Sequence, residues 1–542
     1  MKLSYEGLKD TAAWEKAGIQ LPAYDPRCIA EKTIAAPVWV HFGIGNIFRI
    51  FIGGIADKLI TDGELDRGIT CVETFDYDVA DRIYKPFDNL ALCVTLHADG
   101  RAEKRVIGSL GEAIAARMDD EKTRARLTGI FTDPGLQMCS FTVTEKGYAL
   151  RNADGEYLSY VASDIENGPE HVTGAMGIVA SLLYGRFLAG GYPLALVSMD
   201  NVYRNGEKLK ASVTEIAGEW AARGLVEDGF VEYIEDGSKV SFPWTMIDKI
   251  TPRPLPEIAA GLADIEDIQP IVTSRSTFIA PYVNAEDPQY LVIEDDFPNG
   301  RPPMELAGVY FTDRDTVNLC ERMKVTACLN PIHTALCTYE CMLGYTLFAD
   351  GMHDPELSRL AHRIGYLENL PMVADPGILS PRAFLDEVIQ DRFPNPYLGD
   401  TSQRIATDIS QMVGIRFGET IRTYAERDGS AAGLTGIALA IAGWLRYLLA
   451  LDDAGKPMPL APDPMIPELQ EKLRTVRFGN PESGQVREIL SNSHIFGLDL
   501  MKAGIGEKIE ALFQMEIAGP GAVRSTLRES LDTAEKSSAA GQ

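Results

Sequence analysis

The amino-acid sequence predicts an α/β domain with a largely parallel sheet, followed by a mostly α-helical domain. In roughly the first 300 residues, short apolar runs typical of buried strands alternate with segments of helical apolar spacing, which is the pattern of a parallel sheet with crossover helices. Beyond that point strand signals are scarce and long helical patterns dominate. The 542 residues are also too many for one ordinary hydrophobic core, so two large domains are expected.

The expected division has three parts: an N-terminal extension at 1–35, an α/β domain at 36–300 and a helical domain at 301–542. The extension is polar and has some helical character. The link between the two domains is the stretch RSTFIAPYVNAEDPQYLVIEDDFPNGRPP (275–303), which is rich in proline, aspartate and aromatic residues. The sequence does not give the oligomeric state.

Apolar runs predict the strands of the first domain, and helical spacing predicts the helices of both domains. The strands are expected at Val38–Phe42, Gly68–Thr74, Leu136–Glu145 and Leu194–Asn201, with a hairpin that turns at Ala98–Gly100 and a long helix at His171–Leu188. The helices of the second domain are expected at Asp315–Leu329, Pro331–Tyr345, Pro355–Ile364, Arg382–Gln390, Asp400–Met412, Gly418–Arg427 and 434–451.

Charge and cysteine content exclude several classes of protein. The formal net charge is −27, and the chain has no run of clustered Lys and Arg that would bind nucleic acid or an anionic membrane surface. The eight cysteines form no CxxC pair and most lie in apolar runs, which is typical of reduced thiols in a cytoplasmic protein. The N-terminus lacks the apolar core of a signal peptide. The stretch Gly433–Leu451 is nearly long enough to span a bilayer, but Arg446 interrupts it, so a buried core helix is expected.

A glycine pair follows the first predicted strand. HFGIGNIFR (41–49) places Gly43 and Gly45 at the end of that strand, where a helix begins. Glycine permits a tight turn and the close approach of a pyrophosphate, and a helix N-terminus supplies N–H donors to it. The third small residue of the full dinucleotide fingerprint is replaced by Phe48. The pair is compatible with a nucleotide site, while a strand–helix corner that needs glycine for shape alone is the alternative, and only the surrounding residues can favour one of the two.

Acidic residues follow the second predicted strand. CVETFDYD (71–78) places Glu73 and Asp76 close to the position of a ribose-binding carboxylate. A carboxylate there accepts hydrogen bonds from the ribose hydroxyls and repels a 2′-phosphate, which favours NAD over NADP. The sequence does not decide between the two acids, and an acid in a solvated loop is the alternative.

One apolar segment carries three strongly polar side chains. MKVTACLNPIHTALC (323–337) contains Lys324, Asn330 and His333, and such groups are costly in apolar surroundings unless they are paired or used. A lysine in an apolar site can act as a base near neutral pH when an alcohol loses its hydride. Asparagines donate hydrogen bonds to the developing oxyanion without titrating. Asn330 is one candidate donor, and Asn201, at the carboxyl end of a predicted strand, is a second. His333 lies on the same helical face as Asn330 and can bind a substrate hydroxyl.

Each of these three side chains also has a structural interpretation. Asn330 followed by Pro331 is a good helix N-cap with proline at the first helical position. Lys324 can extend its charged end from a helix into solvent, and His333 can be a core histidine with satisfied hydrogen bonds. All three together in one apolar stretch favour a catalytic site.

At this point the sequence resembles the polyol-specific long-chain dehydrogenases, a family that includes mannitol 2-dehydrogenases and the fructuronate and tagaturonate reductases. The similar segments span about residues 36–450 in the family's order and are specific to it. They are HFGIGNIFR (41–49), FTVTEKGY (141–148), SMDNVYRNG (198–206), FPWTMIDKITP (242–252), YLVIEDDFPNGRPP (290–303), RMKVTACLNPIHTAL (322–336) and NPYLGDTSQRIATDIS (395–410).

The resemblance implies a zinc-independent, NAD-dependent enzyme with a Rossmann-type N-terminal domain, a helical C-terminal domain and an active site in the cleft between them. It implies no metal and a small sugar acid or polyol as substrate. It also implies roles for individual residues. These are Lys324 as general acid/base, Asn201 and Asn330 as oxyanion hole, His333, Asp248 and Arg404 as substrate contacts, and Gly43, Gly45 and Arg49 in the cofactor turn.

One departure from the family concerns the distance between Lys324 and Asn330. Five residues separate them, whereas the mannitol branch has four. On an uninterrupted helix one extra residue rotates the lysine by about 100°, so a bulge or break before Asn330 is expected. The longer spacing and the sequence motif CLNPIHTAL resemble the hexuronate-reductase branch of the family.

The expected reaction is the reduction of D-fructuronate to D-mannonate by NADH. The substrate carboxylate then needs a cation, for which Arg404 is the first candidate and Arg301 the second. Arg301 can instead form a structural ion pair with Asp295 or Asp296. The alternatives are oxidation of mannitol or another polyol, and a non-catalytic NAD-binding sensor. A β-hydroxyacid dehydrogenase also uses a Lys–Asn pair, but usually with the two only three residues apart.

Overall fold

The computed structural model describes residues 1–152 and 154–540 and divides the chain into two compact units. The first unit is Met1–Leu96 with Arg101–Asn318, and the second is His97–Gly100 with the chain from Leu319 onward. The division therefore follows Asn318, whereas the sequence placed it near residue 300. The strand at Tyr310–Thr312 holds this stretch in the first unit, because it pairs with the strand at Tyr290–Glu294.

The strands of the described residues lie in the first unit. They are β1 Ile19–Gln20, β2 Trp39–Phe42, β3 Ile69–Glu73, β4 Ala91–Leu96, β5 Ala102–Ile107, β6 Leu110–Ala115, β7 Met138–Phe141, β8 Leu194–Ser198, β9 Val240–Ser241, β10 Thr245–Asp248, β11 Ile271–Val272, β12 Phe278–Ile279, β13 Tyr282–Glu286, β14 Tyr290–Glu294 and β15 Tyr310–Thr312.

The main sheet has the strand order β6-β3-β2-β7-β8-β9, and every neighbouring pair in it is parallel. Numbered by sequence within this sheet, the order is that of a doubly wound dinucleotide-binding fold, whose ligand crevice lies where the order reverses, here between β2 and β7. The predicted Rossmann-type domain is confirmed. The expected strands at Val38–Phe42 and Gly68–Thr74 are present as β2 and β3.

Smaller sheets flank the main one. The order β1-β5-β4-β13 contains the predicted hairpin, in which β4 and β5 pair antiparallel around the turn at Ala98–Gly100. Because β1 pairs with β5, the segment 1–35 is part of this unit rather than a separate extension. Leu3 and Trp14 of that segment are fully buried in an apolar cluster with the side chains of β4. A further sheet has the order β10-β14-β15.

Helices cover both faces of the main sheet, as buried parallel strands require. Those of the first unit are α1 Thr11–Lys16, α2 Pro26–Ala35, α3 Gly53–Thr61, α4 Glu121–Thr132, α5 Thr144–Tyr148, α6 Ser159–Asn167, α7 Ala175–Leu188, α8 Asn205–Ala222, α9 Phe230–Glu235 and α10 Pro256–Gly261, with α11 Arg314–Met323 leading into the second unit. Side chains of α4, α7 and α8 fill the core on one face, and those of α3 fill it on the other.

The second unit is helical, as expected. Its helices are α12 Asn330–Leu343, α13 Phe348–Met352, α14 Pro355–His362, α15 Pro381–Glu387, α16 Ser402–Ile405, α17 Ile409–Asp428, α18 Gly436–Tyr447, α19 Ile466–Lys472, α20 Arg487–Leu490, α21 Ser493–Phe496, α22 Gly506–Glu516 and α23 Ala522–Ala540. Segments of π-helix follow α11, α14 and α15, at Lys324–Cys328, Arg363–Asn369 and Val388–Arg392.

The predicted core helix is α18, and every one of its residues is buried. Arg446 is enclosed there because its guanidinium donates to the carbonyl oxygens of Leu451 and Asp452, both at 2.8 Å. Gly443 allows the ring of Tyr339 to pack directly on the helix, since a Cβ at Gly443 would lie 2.5 Å from that ring. Among the described residues, no helix is long and apolar enough to cross a membrane.

Two predicted boundaries are wrong. The expected strand Leu136–Glu145 ends at Phe141, and Thr144–Tyr148 is helical. The reason is that the Asp200 carboxylate, distant in sequence, accepts hydrogen bonds from the backbone at the start of this helix. The two helices expected at Asp400–Met412 and Gly418–Arg427 are a short α16 and a long, continuous α17. The chain breaks instead before α17, at Asp408, whose φ is +56°.

Candidate active site

The glycine turn lies at the switch point between β2 and β7. Gly43 has a φ of +87°, and a Cβ there would lie 2.2 Å from the carbonyl oxygen of Thr142, so only glycine fits. The Thr142 hydroxyl donates to the Gly43 carbonyl at 2.6 Å, and the Gly43 N–H donates to the Val72 carbonyl at 2.9 Å. A Cβ at Gly45 would meet no atom within 4 Å. The turn is therefore compressed at Gly43 and open at Gly45, where a pyrophosphate can approach the backbone.

Arg49 supports this turn from inside the protein. Its side chain is buried, and its guanidinium donates to the Ala280 carbonyl and to the Asn46 side chain, both at 2.7 Å. Burial lowers the pKa of this guanidinium. Arg49 thus fixes the start of the helix that follows the glycines, and its contact with the cofactor itself stays a prediction.

Both acids at the end of β3 are buried, but they do different things. One Glu73 oxygen accepts from the N–H groups of Phe75 and Asp76, at 2.9 and 3.1 Å, while the other accepts from Ile44 N–H at a long 3.4 Å. Asp76 accepts from the Thr273 hydroxyl at 2.6 Å, and its other oxygen has no partner in the described structure. Burial raises the pKa of Glu73. Glu73 therefore reaches the glycine turn itself, whereas Asp76 anchors the loop at Thr273.

An exposed aromatic side chain stands between these acids. Phe75 is 65% exposed, and the guanidinium of Arg275 lies 5.1 Å from the centre of its ring. A flat apolar ring and a planar cation beside the carboxylate predicted to bind the ribose suit the stacking of an adenine base. Sequence analysis missed both residues, although the phenylalanine stands in the same CVETFDYD segment.

His41 has a structural role within the strand β2 and is not a catalytic residue. It is fully buried in β2, with one ring nitrogen 2.6 Å from the Ser140 hydroxyl and the other 2.8 Å from that of Thr142. Burial lowers its pKa to about 3, so the ring is neutral at physiological pH. Within the described part of the chain, no group of three or more His, Cys, Asp or Glu side chains is placed to hold a metal ion.

The segments FTVTEKGY and SMDNVYRNG meet through one carboxylate. Asp200 accepts from the N–H groups of Val143 and Thr144, each at 2.9 Å, and from the Tyr148 hydroxyl at 2.6 Å. These bonds hold Thr144 at a φ of +64° and end the strand β7 early. Asn201, the predicted oxyanion donor, is the next residue and is exposed at the carboxyl edge of the sheet. Sequence analysis missed Asp200 because only pairing of β7 with β8 brings these segments together.

Asp248 ends β10 and is buried. The start of β10 is tied to the end of β8 by Asn205, whose side-chain amide donates to the Asp200 carbonyl at 2.9 Å and to the Thr245 hydroxyl at 2.8 Å. Two predicted site residues of the first unit, Asn201 and Asp248, therefore stand on segments that Asn205 connects.

Lys324 begins a π-helical turn. The helix α11 ends at Met323, the π segment covers Lys324–Cys328, and the Leu329 N–H donates to the Lys324 carbonyl at 3.2 Å, five residues back. A π turn contains one residue more than the α-helical turn it replaces and is frequent at functional sites. The break expected before Asn330 is therefore present. Lys324 is 2% exposed, so the interpretation as a surface lysine that extends into solvent is wrong.

A buried asparagine holds the π turn in place. The Asn369 side-chain amide donates to the Ala327 carbonyl at 2.9 Å, and its oxygen accepts from the Thr420 hydroxyl at 3.2 Å. This bond satisfies a carbonyl within the altered hydrogen-bond pattern, which would otherwise be costly inside the protein. Asn369 was not recognised from the sequence, since nothing local connects it to Lys324.

Asn330 is the first residue of α12, not its cap. The cap position is Leu329, and no side chain caps this helix end. The capping interpretation is thus wrong, and the amide of Asn330, on a half-buried residue, is not used to begin the helix. His333 follows one turn later, half-buried between the rings of Phe348 and Phe393, whose centres lie 4.4 and 5.0 Å from its own.

The surroundings of His333 are cationic. Burial, together with the positive charges of Arg416, Arg404 and Arg392, lowers the pKa of His333 to about 3. The imidazole is therefore neutral and can donate at one nitrogen and accept at the other. Arg404 is 65% exposed and pairs with Asp400.

Arg301 belongs to the first unit, and its contacts support a structural ion pair rather than a role in binding the substrate carboxylate. Its guanidinium pairs with Asp295 at 3.0 Å and with Glu305 at 2.5 Å, and it lies 3.4 Å from the centre of the Phe311 ring. The predicted partner Asp296 is replaced by Glu305.

The predicted site residues thus form two groups. Those of the cofactor turn, with Asn201 and Asp248, lie at the carboxyl edges of strands in the first unit. Lys324, Asn330 and His333 lie on the π turn and the first turn of α12 in the second. The first unit carries a glycine turn at the switch point of a doubly wound sheet, which suits a dinucleotide, and the second carries a shielded lysine, which suits acid–base chemistry on an alcohol. The class of protein is an NAD-dependent secondary-alcohol dehydrogenase.

Comparison with known proteins gives the family. The model for the mannitol dehydrogenase Rossmann domain matches residues 38–306, and that for the mannitol dehydrogenase C-terminal domain matches residues 316–515. The chain therefore belongs to the mannitol dehydrogenase family.

Three similar proteins show how far this likeness extends. The chain is 50% identical to a D-mannonate oxidoreductase of Thermotoga maritima, over 98% of this chain and 99% of that protein. It superimposes on a substrate-free D-sorbitol dehydrogenase with a TM-score of 0.79 at 26% identity, covering 94% and 98% of the two chains. Mannitol 2-dehydrogenase of Pseudomonas fluorescens, in ternary complex with NAD and D-mannitol, gives a TM-score of 0.69 at 26% identity, covering 98% and 100%.

Proposed function

We propose that the protein interconverts D-fructuronate and D-mannonate with NAD(H), and that reduction of the ketone is its working direction. The observation that carries this proposal is the positive charge of three arginines around His333, in a chain whose formal net charge is −27. Such a setting favours a substrate that carries a carboxylate. The likeness to a D-mannonate oxidoreductase over nearly the full length of both chains supports the same choice.

The predicted catalytic residues are proposed to handle the oxygen of the reacting carbon. NADH, when bound, supplies a hydride to the ketone carbon. The Lys324 ammonium gives its proton to the ketone oxygen and becomes a neutral amine, which solvent reprotonates before the next turnover. The amides of Asn330 and Asn201 donate to the oxygen as its negative charge grows. In the opposite direction the neutral Lys324 amine removes the hydroxyl proton of the alcohol.

The remaining predicted residues are proposed to hold the rest of the substrate. His333, neutral and fixed between two aromatic rings, hydrogen-bonds a substrate hydroxyl. Asp248 and Arg404 contribute further contacts. The acid in this reaction is a side chain, so the proposed chemistry needs no metal ion. The cysteines are free thiols, which suits a cytoplasmic location.

Steady-state kinetics with NADH and three ketones test the substrate. Both uronates are expected to give a higher kcat/KM than D-fructose, because their carboxylate is attracted to the cationic surroundings of His333. D-Fructuronate is expected to rank above D-tagaturonate, because its reduction gives D-mannonate, the compound for which the similar oxidoreductase is named. The second candidate is a neutral polyol such as mannitol, favoured by the likeness to the mannitol-bound dehydrogenase. A higher kcat/KM for fructose than for either uronate would establish that candidate instead.

Cofactor binding distinguishes the two acids of the ribose site. We expect Glu73→Gln to raise the KM for NADH by about tenfold to a hundredfold, since hydrogen bonds to charged groups contribute about 1.5–3 kcal/mol. The long bond of Glu73 to Ile44 leaves that oxygen able to accept a ribose hydroxyl. Asp76→Asn is expected to lower the melting temperature, because it weakens the Thr273 anchor, with a smaller change in KM. If Asp76→Asn changes the KM for NADH more than Glu73→Gln, the assignment is reversed.

A further inference from the structure

We infer that Arg416 is the specificity-determining residue that binds the carboxylate of the substrate and so selects sugar acids over neutral ketoses. This inference rests on the proposed function and names the residue responsible for its substrate class. Sequence analysis offered Arg404 for this role, but Arg404 is largely exposed and already paired with Asp400. Arg416 lies on α17, half-buried.

The contacts of Arg416 leave most of its hydrogen-bonding capacity unused. One terminal nitrogen donates to the hydroxyl of Thr334, and the other lies 2.7 Å from the sulfur of Met412. A thioether is a weak acceptor, and a guanidinium has five N–H donors. Across residues 1–152 and 154–540, no carboxylate lies within ion-pair distance of Arg416. Burial lowers the pKa of the guanidinium, and the group that opposes this is the Cys337 thiol rather than an acid.

Other shielded arginines of the second unit are compensated inside the protein, Arg446 by the carbonyl oxygens of Leu451 and Asp452 and two more by carboxylates. Arg363 pairs with Glu368 at 3.1 Å, and Arg524 pairs with Glu356 at 2.9 Å. A charge removed from water is costly unless an opposite charge compensates it. In a chain with 78 acidic and 51 basic residues, an arginine without such a partner is therefore suited to receive an anion from outside the protein.

The position of Arg416 matches the shape of the substrate. Thr334, which holds its guanidinium, is the residue after His333 and lies four residues beyond Asn330 on α12. Residues four apart lie on one helix face with about 5–6 Å between their Cβ atoms. In a uronate the ketone and the carboxylate stand toward opposite ends of a six-carbon chain. A ketone oxygen at Asn330 therefore places the carboxylate further along α12, toward Thr334 and Arg416.

Competitive inhibition measures the recognition of charge separately from turnover. D-Mannonate and its neutral amide, D-mannonamide, differ only in the carboxylate, so the ratio of their inhibition constants reports the contribution of the cation. In Arg416→Gln this ratio is expected to fall by about 30-fold or more, the lower end of the loss when one member of a buried charge pair is removed. The kcat/KM for fructuronate is expected to fall equally, mostly through KM, with the affinity for NADH unchanged.

Arg422→Gln is the matched control. Arg422 lies on the same helix but is exposed and donates to the Gly497 carbonyl at 3.0 Å, so its loss changes the net charge equally and should leave the ratio unchanged. Arg416→Lys retains a charge and is expected to fold and to keep part of the preference, which covers the case that Arg416→Gln does not fold.

Three results would overturn the inference: an unchanged ratio in the Arg416 variants, equal weakening of acid and amide, or a loss confined to NADH affinity, which would assign Arg416 to a cofactor phosphate. Failure of the proposed function is distinguishable, because it appears in the wild-type enzyme as a preference for fructose. The inhibition ratio still tests Arg416 in that case.

Discussion

Replacing Lys324 with alanine is expected to lower kcat by about a hundredfold to ten-thousandfold, the range that general acid–base catalysis contributes. Lys324 is 2% exposed at the start of the π turn, so water is a poor substitute for its ammonium as the proton donor in the reacting complex. The affinity for NADH should not change, since the glycine turn and Glu73 belong to the other unit. Stopped-flow measurement of single turnovers checks the loss of kcat, and fluorescence titration with NADH checks that the cofactor affinity is unchanged.

Arg322→Ala is the control for this change. Arg322 lies two residues before Lys324, is exposed and pairs with Glu419 on the surface, so its removal should leave kcat within about threefold of wild type. Small primary amines are expected to restore part of the activity of Lys324→Ala if they enter the space of the side chain. Turnover above one tenth of wild type in Lys324→Ala would contradict the role of this lysine. A non-catalytic sensor would instead bind NADH with no turnover in any variant.

The fold and the chemistry-bearing segments were predictable from the sequence to a large extent. Residues at a strand end can be recognised from the short apolar run that precedes them. For this reason Gly43, Glu73 and Asn201 could be assigned to the carboxyl edge of the sheet from the sequence alone. Asp200 and Asn369 could not, because each acts on backbone groups far away in sequence, at Val143 and Ala327. Long-range hydrogen bonds of this kind leave no periodic signal.

Arg416 was missed for a more specific reason. Gly414 and Gly418 resemble a break between two helices, and Arg416 falls inside the supposed loop. In the structure both glycines are within α17, where added Cβ atoms would lie 2.4 and 2.5 Å from the carbonyl oxygens of Ile495 and Phe496. They therefore allow a close approach of two backbones rather than a turn. Propensity alone does not separate these two uses of glycine.

The π turn offers the strongest test of how geometry produces activity. Deletion of Thr326 shortens the connection between Lys324 and Asn330 to the four residues of the mannitol branch, and the segment can then close as a regular α-helix. Because a π turn contains one residue more than the α-helical turn it replaces, this closure keeps the direction of Lys324 relative to Asn330. We expect kcat to stay within about tenfold of wild type, whereas a π turn that persisted in the shortened segment would rotate the lysine by about 100°, and a misplacement of 1 Å can already cost 100-fold. Cofactor titration should still give the wild-type affinity.

Thr326→Ala separates the effect of register from the effect of the side chain. The hydroxyl of Thr326 donates only to the Arg322 carbonyl at 2.8 Å, so its removal keeps the π turn and should leave kcat nearly unchanged. Melting curves of both variants show whether the second unit still unfolds cooperatively. A folded deletion variant with a kcat within about tenfold of wild type would show that the π turn absorbs the extra residue without changing the direction of the lysine. A folded but inactive one would contradict this and mean that the shortened segment no longer directs the ammonium group at the oxygen atom.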